Sequence, residues 1–415
     1  MKIKKLGEFG LIEHIRRHFT SYTSSPRGTH VLRGSGTRLT QNFIGIGDDT
    51  AVIKISSKKY LLWTTDILIE SIHFLPKHLS LLPFRFRLSP TFMLGWKALA
   101  VNLSDIAAMG GIPQYALVTL GLKGNEDVKF VDELYRGMKS CSGRARYDCS
   151  GRPWSAEKSS KLDHYSSGRP WSAVKILGGD TTKSPILVID VSVIGEVEKK
   201  NLVLRRGASP GDVICVTGFC GDSAVGLAIL RRGSIHRAHC SGTTHPSGGC
   251  PGSANERHLI CRHLMPTPRL KEARIIAKNH LATSMIDNSD GLLASVKFLC
   301  QSSGVGAKIY EDKIPISKQL IKGLFHPPRA EGLSYCRSGR VHSAIQKFAL
   351  TGGEDYELVF TVPPQKLNDV LTKIPELTGT PVTAIGEVTK NKGIFVCNSS
   401  GKRKNIKNMG FDHFV

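Results

Sequence analysis

The 415-residue chain has no run of about 18 apolar residues, so a membrane-spanning helix is excluded. Residues 1–10 lack the apolar core of a secretory signal, and a cytoplasmic protein is expected. No CxxC pair occurs, and the ten cysteines are scattered through a long chain; neither a disulfide framework nor a zinc ribbon is indicated, and free thiols are expected. The phosphate cradle GxxxxGK[ST] is missing, as is a kinase-like GxGxxG, so any nucleotide must be held by another design. Acidic residues are scarce, 34 against 57 Lys and Arg, for a net charge of +23. Such an excess ordinarily suggests a polyanionic partner. Here it is segmental: residues 21–41, 77–92, 140–175, 231–265 and 325–347 each carry +3 or +4 and together hold most of it. The remainder is only mildly basic.

Between those stretches the chain alternates β-rich runs (60–66, 185–197, 212–217, 357–362, 382–388, 393–396) with helical patterns (95–109, 126–139, 222–230, 269–280, 291–302). That is α/β punctuation over a length suited to two lobes. A boundary fits at 201–211, where Arg205, Arg206, Gly207, Pro210 and Gly211 break the pattern. The expected lobes are 1–200 and 201–415. In the helix over 95–109, Trp96, Leu99, Leu103 and Ile106 make an apolar stripe, with Asn102 and Asp105 on a narrow polar face. The five basic stretches have little apolar periodicity, and SGRPWSAEK at 150–158 recurs as SGRPWSAVK at 167–175. They are expected to be loop-like insertions that interrupt a compact protein and do not build its site.

The scarce acids concentrate in short motifs with glycines and hydroxyls. Gly45–Asp49 places two adjacent carboxylates after a glycine turn, hard ligands suited to Mg²⁺, although a solvated turn would use the same residues. Thr64, Thr65 and Asp66 close an apolar strand, where a ligand crevice or plain strand termination would each be served. Asp105 is a metal ligand or a surface acid. Gly178, Gly179, Asp180, Thr181 and Thr182 precede a strand and allow close backbone approach to phosphate; a tight turn is the competing use. Asp287, Asn288, Ser289, Asp290 and Gly291 open a helix, as a cap or as a phosphate and metal site. Finally, Gly352–Leu358 (GGEDYEL) sets acids beside a diglycine. Six such motifs in an acid-poor chain point to several Mg²⁺ ions bridging polyphosphate oxygens.

In order and wording these motifs resemble the thiamine-monophosphate kinase family, of the superfamily that includes aminoimidazole ribonucleotide synthetase and selenophosphate synthetase. The resemblance rests on GEFGLI at 7–12, GIGDDTAV at 45–52, TTD at 64–66, HF at 73–74 and GWKALAVNLSDIAAMGG at 95–111. It continues through GGDTT at 178–182, LRRGASPGD at 204–212, VTGFCGDSAVGL at 216–227, MIDNSDGLL at 285–293, TGGEDYELVFT at 351–361, IGEV at 385–388 and GFDHF at 410–414. It implies a two-lobed α/β (α+β) fold of the aminoimidazole-ribonucleotide-synthetase type, with a mixed sheet in the first lobe. The implied reaction is ATP-dependent phosphorylation of thiamine monophosphate to thiamine diphosphate, with several Mg²⁺ ions, a possible monovalent cation and a homodimer joined through the first lobes. Carried onto matching positions, Asp49, Thr64, Thr65, Asp66, Asp105, Asp180, Asp287 and Asp290 are metal ligands. Catalysis runs through the metal at Asp49, Asp66, Asp105 and Asp180. Gly179, Asp180, Arg205 and Ser289 are ATP contacts; His73, Glu354 and Phe411 are substrate contacts, with the cationic thiazolium as the reason for Glu354. Phe411 stands where the family commonly has Trp.

Three other readings stay open on the residues. Another superfamily member could act on a ribonucleotide, although selenophosphate chemistry is disfavoured because no cysteine precedes Cys141. Trp154 and Trp171 within basic stretches could stack on nucleic-acid bases, yet the other stretches lack interleaved aromatics, and nucleic acid is not the expected partner. Cys240, His245, Cys250, His258, Cys261 and His263 have zinc-ligand chemistry without finger spacing.

Overall fold

The computed structural model describes residues 3–20, 43–75, 88–142, 173–239, 254–325, 338–398, 401, 403–404 and 410. After helix α1 (Ile3–Thr20) come β1 (Phe43–Ile44), β2 (Ala51–Lys54), β3 (Lys59–Ile69), helix α2 (Pro90–Ala108), β4 (Ile112–Leu122), α3 (Val128–Ser142), β5 (Lys175–Lys183) and β6 (Val188–Glu198). The six strands form one mixed sheet in the order β1-β2-β3-β6-β4-β5, antiparallel except for β4 with β5.

Beyond residue 212 follow β7 (Val213–Thr217), α4 (Asp222–His239), α5 (Ala254–Leu264), α6 (Leu270–Lys278), β8 (Ser284–Asp287), α7 (Leu292–Ser303) and β9 (Gly306–Tyr310). The chain then runs through α8 (Lys318–Phe325), α9 (Ser338–Thr351), β10 (Leu358–Val362), α10 (Leu367–Thr378), β11 (Val382–Thr389), β12 (Gly393–Cys397) and β13 (Arg403–Lys404). These strands make a second mixed sheet, β13-β12-β9-β11-β7-β10-β8. No helix of the described residues is long and apolar enough to cross a membrane. Cys141, Cys215, Cys220, Cys261, Cys300 and Cys397 are thiols, joined in no disulfide among the described residues.

Helix α2 is the keel between the sheets. Ser89 caps it, its hydroxyl accepting from the Phe92 amide at 3.1 Å, and Pro90 fits the first turn, where no amide partner is needed. The expected apolar stripe with a polar face is replaced by burial almost all round, because β3 and β6 pack on one side while α6 and β8 of the second half pack on the other. Asn102 and Ser104 are fully buried as a result. Helix α3 crosses α2 at backbone distance: a Cβ on Gly95 would stand 1.9 Å from the Leu134 carbonyl oxygen, and one on Gly137 2.0 Å from that of Phe92.

The loop expectation fails for parts of the basic stretches. Residues 231–239 extend α4, 254–264 form α5, and 338–347 belong to α9. Basic, cysteine- and histidine-rich composition hid a buried helical side in α5, where Leu259, Ile260 and His263 fall at helical spacing. Residues 21–42, 76–87, 143–172, 240–253 and 326–337 lie outside the described residues, and with them the tandem repeat except residues 173–175, together with Trp154, Trp171, Cys240, His245 and Cys250.

Candidate active site and metal centre

Three carboxylates from three distant segments meet where the two sheets face each other across α2. Asp49 follows the glycine turn that leads into β2. Asp105 lies near the end of α2, and Asp287 is the last residue of the wholly buried strand β8. Oxygens of these three lie within 4.8 Å of one another. Asp49 and Asp287 are 8% and 2% exposed, and Asp105 is half-buried. Hydroxyls fix their orientation: Thr64 donates to Asp105 Oδ2 at 2.5 Å, Ser104 to Asp287 Oδ2 at 2.8 Å, and Ser289 to Asp287 Oδ1 at 3.3 Å.

Among the described residues, Arg205 faces this charge directly. The Arg205 guanidinium donates to Asp49 Oδ1 at 2.7 Å, and its backbone amide donates to Asp48 Oδ1 at 3.1 Å. That is not enough to balance the cluster. Burial, then repulsion from Asp49, pushes Asp287 up to about 8; burial and Asp290 push Asp66 up to about 6; burial and Asp49 push Asp48 up to about 7. Asp105 is raised well above the usual carboxylate range by burial and by Asp66, Asp287 and Asp49. Asp49 Oδ2 is buried with no hydrogen-bond partner. A hard divalent cation such as Mg²⁺ fits this donor set: it would satisfy that oxygen and compensate the charge.

The strained loop 352–357 builds the other end of the crevice. Glu354 and Tyr356 both have positive φ (65° and 51°), a costly conformation for these residues. It is locked by hydrogen bonds that the Glu354 amide donates to the Ser289 carbonyl (2.6 Å) and the Tyr356 amide to that of Asn288 (3.0 Å). The Glu354 carboxylate thereby meets the Lys97 ammonium at 2.6 Å and His263 Nδ1 at 3.3 Å. His263 Nδ1 also shares a hydrogen bond with Ser223 Oγ, 3.1 Å. Burial acts to raise Glu354, but Lys97, His263 and His73 outweigh it and hold the group below its ordinary range.

Residues 47–197 match the family described as AIR synthase related protein, N-terminal domain, and residues 209–397 match its C-terminal domain. Thiamine-monophosphate kinase of Aquifex aeolicus is 32% identical over 415 residues, the whole of both chains, and that of Salmonella typhimurium is 33% identical, covering 89% of this chain and 92% of its own. The chain belongs to the thiamine-monophosphate kinase family. A solved structure described as AaThiL complexed with AMPPCP and TMP is similar over 100% of this chain and 99% of its own, with 30% identity and a TM-score of 0.68.

Of the residues singled out from the sequence, the fold brings Asp49, Thr64, Asp66, Asp105, Arg205, Asp287, Ser289 and Asp290 to one crevice, with His73 and Glu354 close together at its other end. Thr65 is not brought in. Strand alternation turns its hydroxyl to the opposite face of β3, where it donates to Asp190 Oδ1 at 3.0 Å. Asp180 lies on the edge strand β5, exposed, and accepts its neighbour Thr181's amide at 2.8 Å. Gly179 has a reason of its own within the sheet: a Cβ there would stand 1.7 Å from the Val118 carbonyl oxygen. Phe411 lies outside the described residues.

Sequence reasoning missed Lys97 and Arg262; Asp48 was noted only as the partner carboxylate of Asp49, and His263 only as a zinc candidate. Lys97 is a lone cation in an apolar helical run, a readable signal. His263 and Arg262 belong to α5, within a stretch expected to stay clear of the site; Arg262 donates to Glu357 Oε1 at 2.7 Å and so braces the loop that carries Glu354. Of the zinc candidates, His263 is engaged by Ser223 and Glu354, while Cys240, His245 and Cys250 lie outside the described residues.

Proposed function

We propose that the chain transfers the γ-phosphoryl group of ATP to the phosphate of thiamine monophosphate, giving thiamine diphosphate and ADP, with Mg²⁺ held by Asp49, Asp105 and Asp287 and supported by Asp66 and Asp290. The observation that carries this is the trio of carboxylates, two buried and one half-buried, that meet at the sheet junction of a chain from this family. Bound Mg²⁺ would neutralise charge on the phosphate oxygens. The chain's own residues do the rest by positioning. Thr64 and Ser104 hold Asp105 and Asp287 in fixed rotamers. Arg205, stacked over the Phe298 ring at 5.4 Å, offers a fork of donors to a triphosphate. His73 and Glu354 orient the acceptor. No general base is needed, because a phosphate monoester with a second pKa near 6 presents an unprotonated oxygen at neutral pH for in-line attack. Asp180 and Gly179 remain ATP-side candidates from the family resemblance, at the sheet edge.

A homodimer is part of the proposal. The face of the first sheet turned away from α2 exposes Trp63, Ile67, Tyr115 and Leu117 on β3 and β4, which flank β6; Trp63, Ile194 and Tyr115 share one register row. An apolar face of this kind suits a second copy. Light scattering should give a dimer for the parent and a monomer for Tyr115→Lys with Leu117→Lys; a parent monomer at assay concentration refutes it.

The reaction is tested by ADP release and product formation from ATP and thiamine monophosphate in Mg²⁺, comparing the parent with Asp105→Asn. An active parent and an inactive, folded variant are expected. A parent that works only on an aminoimidazole ribonucleotide precursor would replace the acceptor.

A further inference from the structure

Glu354 is a carboxylate with its charge already answered. Its side chain keeps 28% of its surface open to the crevice, while Lys97 and His263 stand behind it at 3% each. The two cover different oxygens: Lys97 Nζ is on Oε1 at 2.6 Å and His263 Nδ1 on Oε2 at 3.3 Å. A carboxylate has about four lone-pair sites, so hydrogen-bond capacity remains on the open side. Its field does not remain. An ammonium at contact distance turns the carboxylate's monopole into a dipole, and His73 and His263 add no negative charge. A permanent cation in the crevice would therefore gain little from Glu354, whereas an N–H donor would meet an aimed, desolvated acceptor.

Resting on the kinase reading above, we infer that Lys97 and His263 are positioning residues that convert Glu354 from a cation site into a hydrogen-bond acceptor for the exocyclic amine of the acceptor's aminopyrimidine, so that specificity at this end is read by an N–H and not by the thiazolium charge. The strained backbone at Glu354 and Tyr356 fits that use, since directional recognition needs an aimed oxygen and bulk attraction does not. Placement along α2 agrees. Lys97 precedes Asp105 by eight residues on one helix face, roughly 12 Å along the axis, which sets the far heterocycle and not the phosphate beside Glu354.

The test compares thiamine monophosphate with the analogue whose exocyclic amine is replaced by a carbonyl oxygen, both keeping thiazolium and phosphate. The parent should use the analogue at least about 100-fold less efficiently, since a site built around an N–H leaves its acceptor unpaired. Lys97→Met should raise KM for the acceptor roughly 10-fold while KM for ATP and kcat stay near parental values. The double variant Lys97→Met with Glu354→Gln should bring the acceptor KM back to within about 3-fold, because the neutral amide oxygen still accepts and no buried charge is left unpaired. Equal use of both compounds overturns the inference, as does a double variant no better than Glu354→Gln alone. Calorimetric binding of the two compounds needs no turnover. A preference for the amine in a parent that transfers no phosphate would leave this inference standing and bring down only the kinase reading.

Discussion

The two ends of the crevice bury carboxylates and settle the electrostatic cost in opposite ways. At one end Asp49, Asp105 and Asp287, with Asp48 and Asp66 nearby, face Arg205 among the described residues, and burial with mutual repulsion raises their affinity for protons. At the other, Glu354 is matched by Lys97 and His263 and stays below the ordinary carboxylate range. A cluster left short of positive charge is poised to take it from solution, as metal ions. A carboxylate compensated from within has only hydrogen bonds to offer. The same residue type thus serves charge neutralisation at one end and recognition at the other, and the neighbours decide which.

The sharpest break of this comparison is Asp287→Asn. Activity should fall by roughly 1,000-fold, the scale of losing preorganised charge stabilisation at a phosphoryl-transfer site. Unfolding without Mg²⁺ should meanwhile shift to higher temperature, because one buried repulsion is gone. Paired kinetics and thermal melts check both; a variant that is inactive and also less stable without metal would mean Asp287 is structural.

Proton linkage gives the next effect. Asp66, Asp48 and Asp287 have folded-state values of about 6, 7 and 8 against an ordinary 3.8. The folded chain therefore holds protons that the unfolded chain has released. The associated stability is complete below about pH 4 and is lost as pH climbs through those values. Without Mg²⁺ the melting temperature should fall between pH 5 and pH 8 by at least roughly 5 °C. Mg²⁺ should restore it, more at pH 8 than at pH 5, with proton release on binding. Glu354, whose shift is downward, should not respond to Mg²⁺. A melting temperature that rises with pH in metal-free buffer would contradict the charge-deficient cluster.

Much of this was legible in the residues, for reasons that can be named. The acids in GDD, NLSD and DNSD sit at a turn, a helix and a strand end, the places where side chains converge in α/β sheets, and they do converge. Thr65 was grouped with Thr64 and Asp66 because the motif was carried over as a block, whereas strand period puts its side chain on the opposite face, with Asp190. Asp180 depends on strand order: β5 pairs with β4 at the sheet edge, a long-range choice that no local pattern states. In α5 composition misled. Its basic, cysteine- and histidine-rich character suggested a solvated loop, yet Leu259, Ile260 and Cys261 are core and Arg262 with His263 brace the recognition loop. Net charge says where a segment is basic, and says little about which side of it is buried.

That error in α5 limits the smallest prediction to the right segment. The stretch 140–175 was expected to be an insertion that does not build the site, and its flanks are now fixed: α3 runs to Ser142 and β5 starts at Lys175. Replacing residues 145–170 by a short Gly/Ser linker keeps both flanks, including the α2–α3 contact at Gly95 and Gly137. Loop-closure entropy changes by only about 0.6 kcal/mol per halving of length, so stability should hardly move. Activity should stay within about 3-fold of the parent. A folded, inactive replacement would place part of 145–170 in the site, as happened with α5, and would carry the comparison above from two ends of the crevice to three.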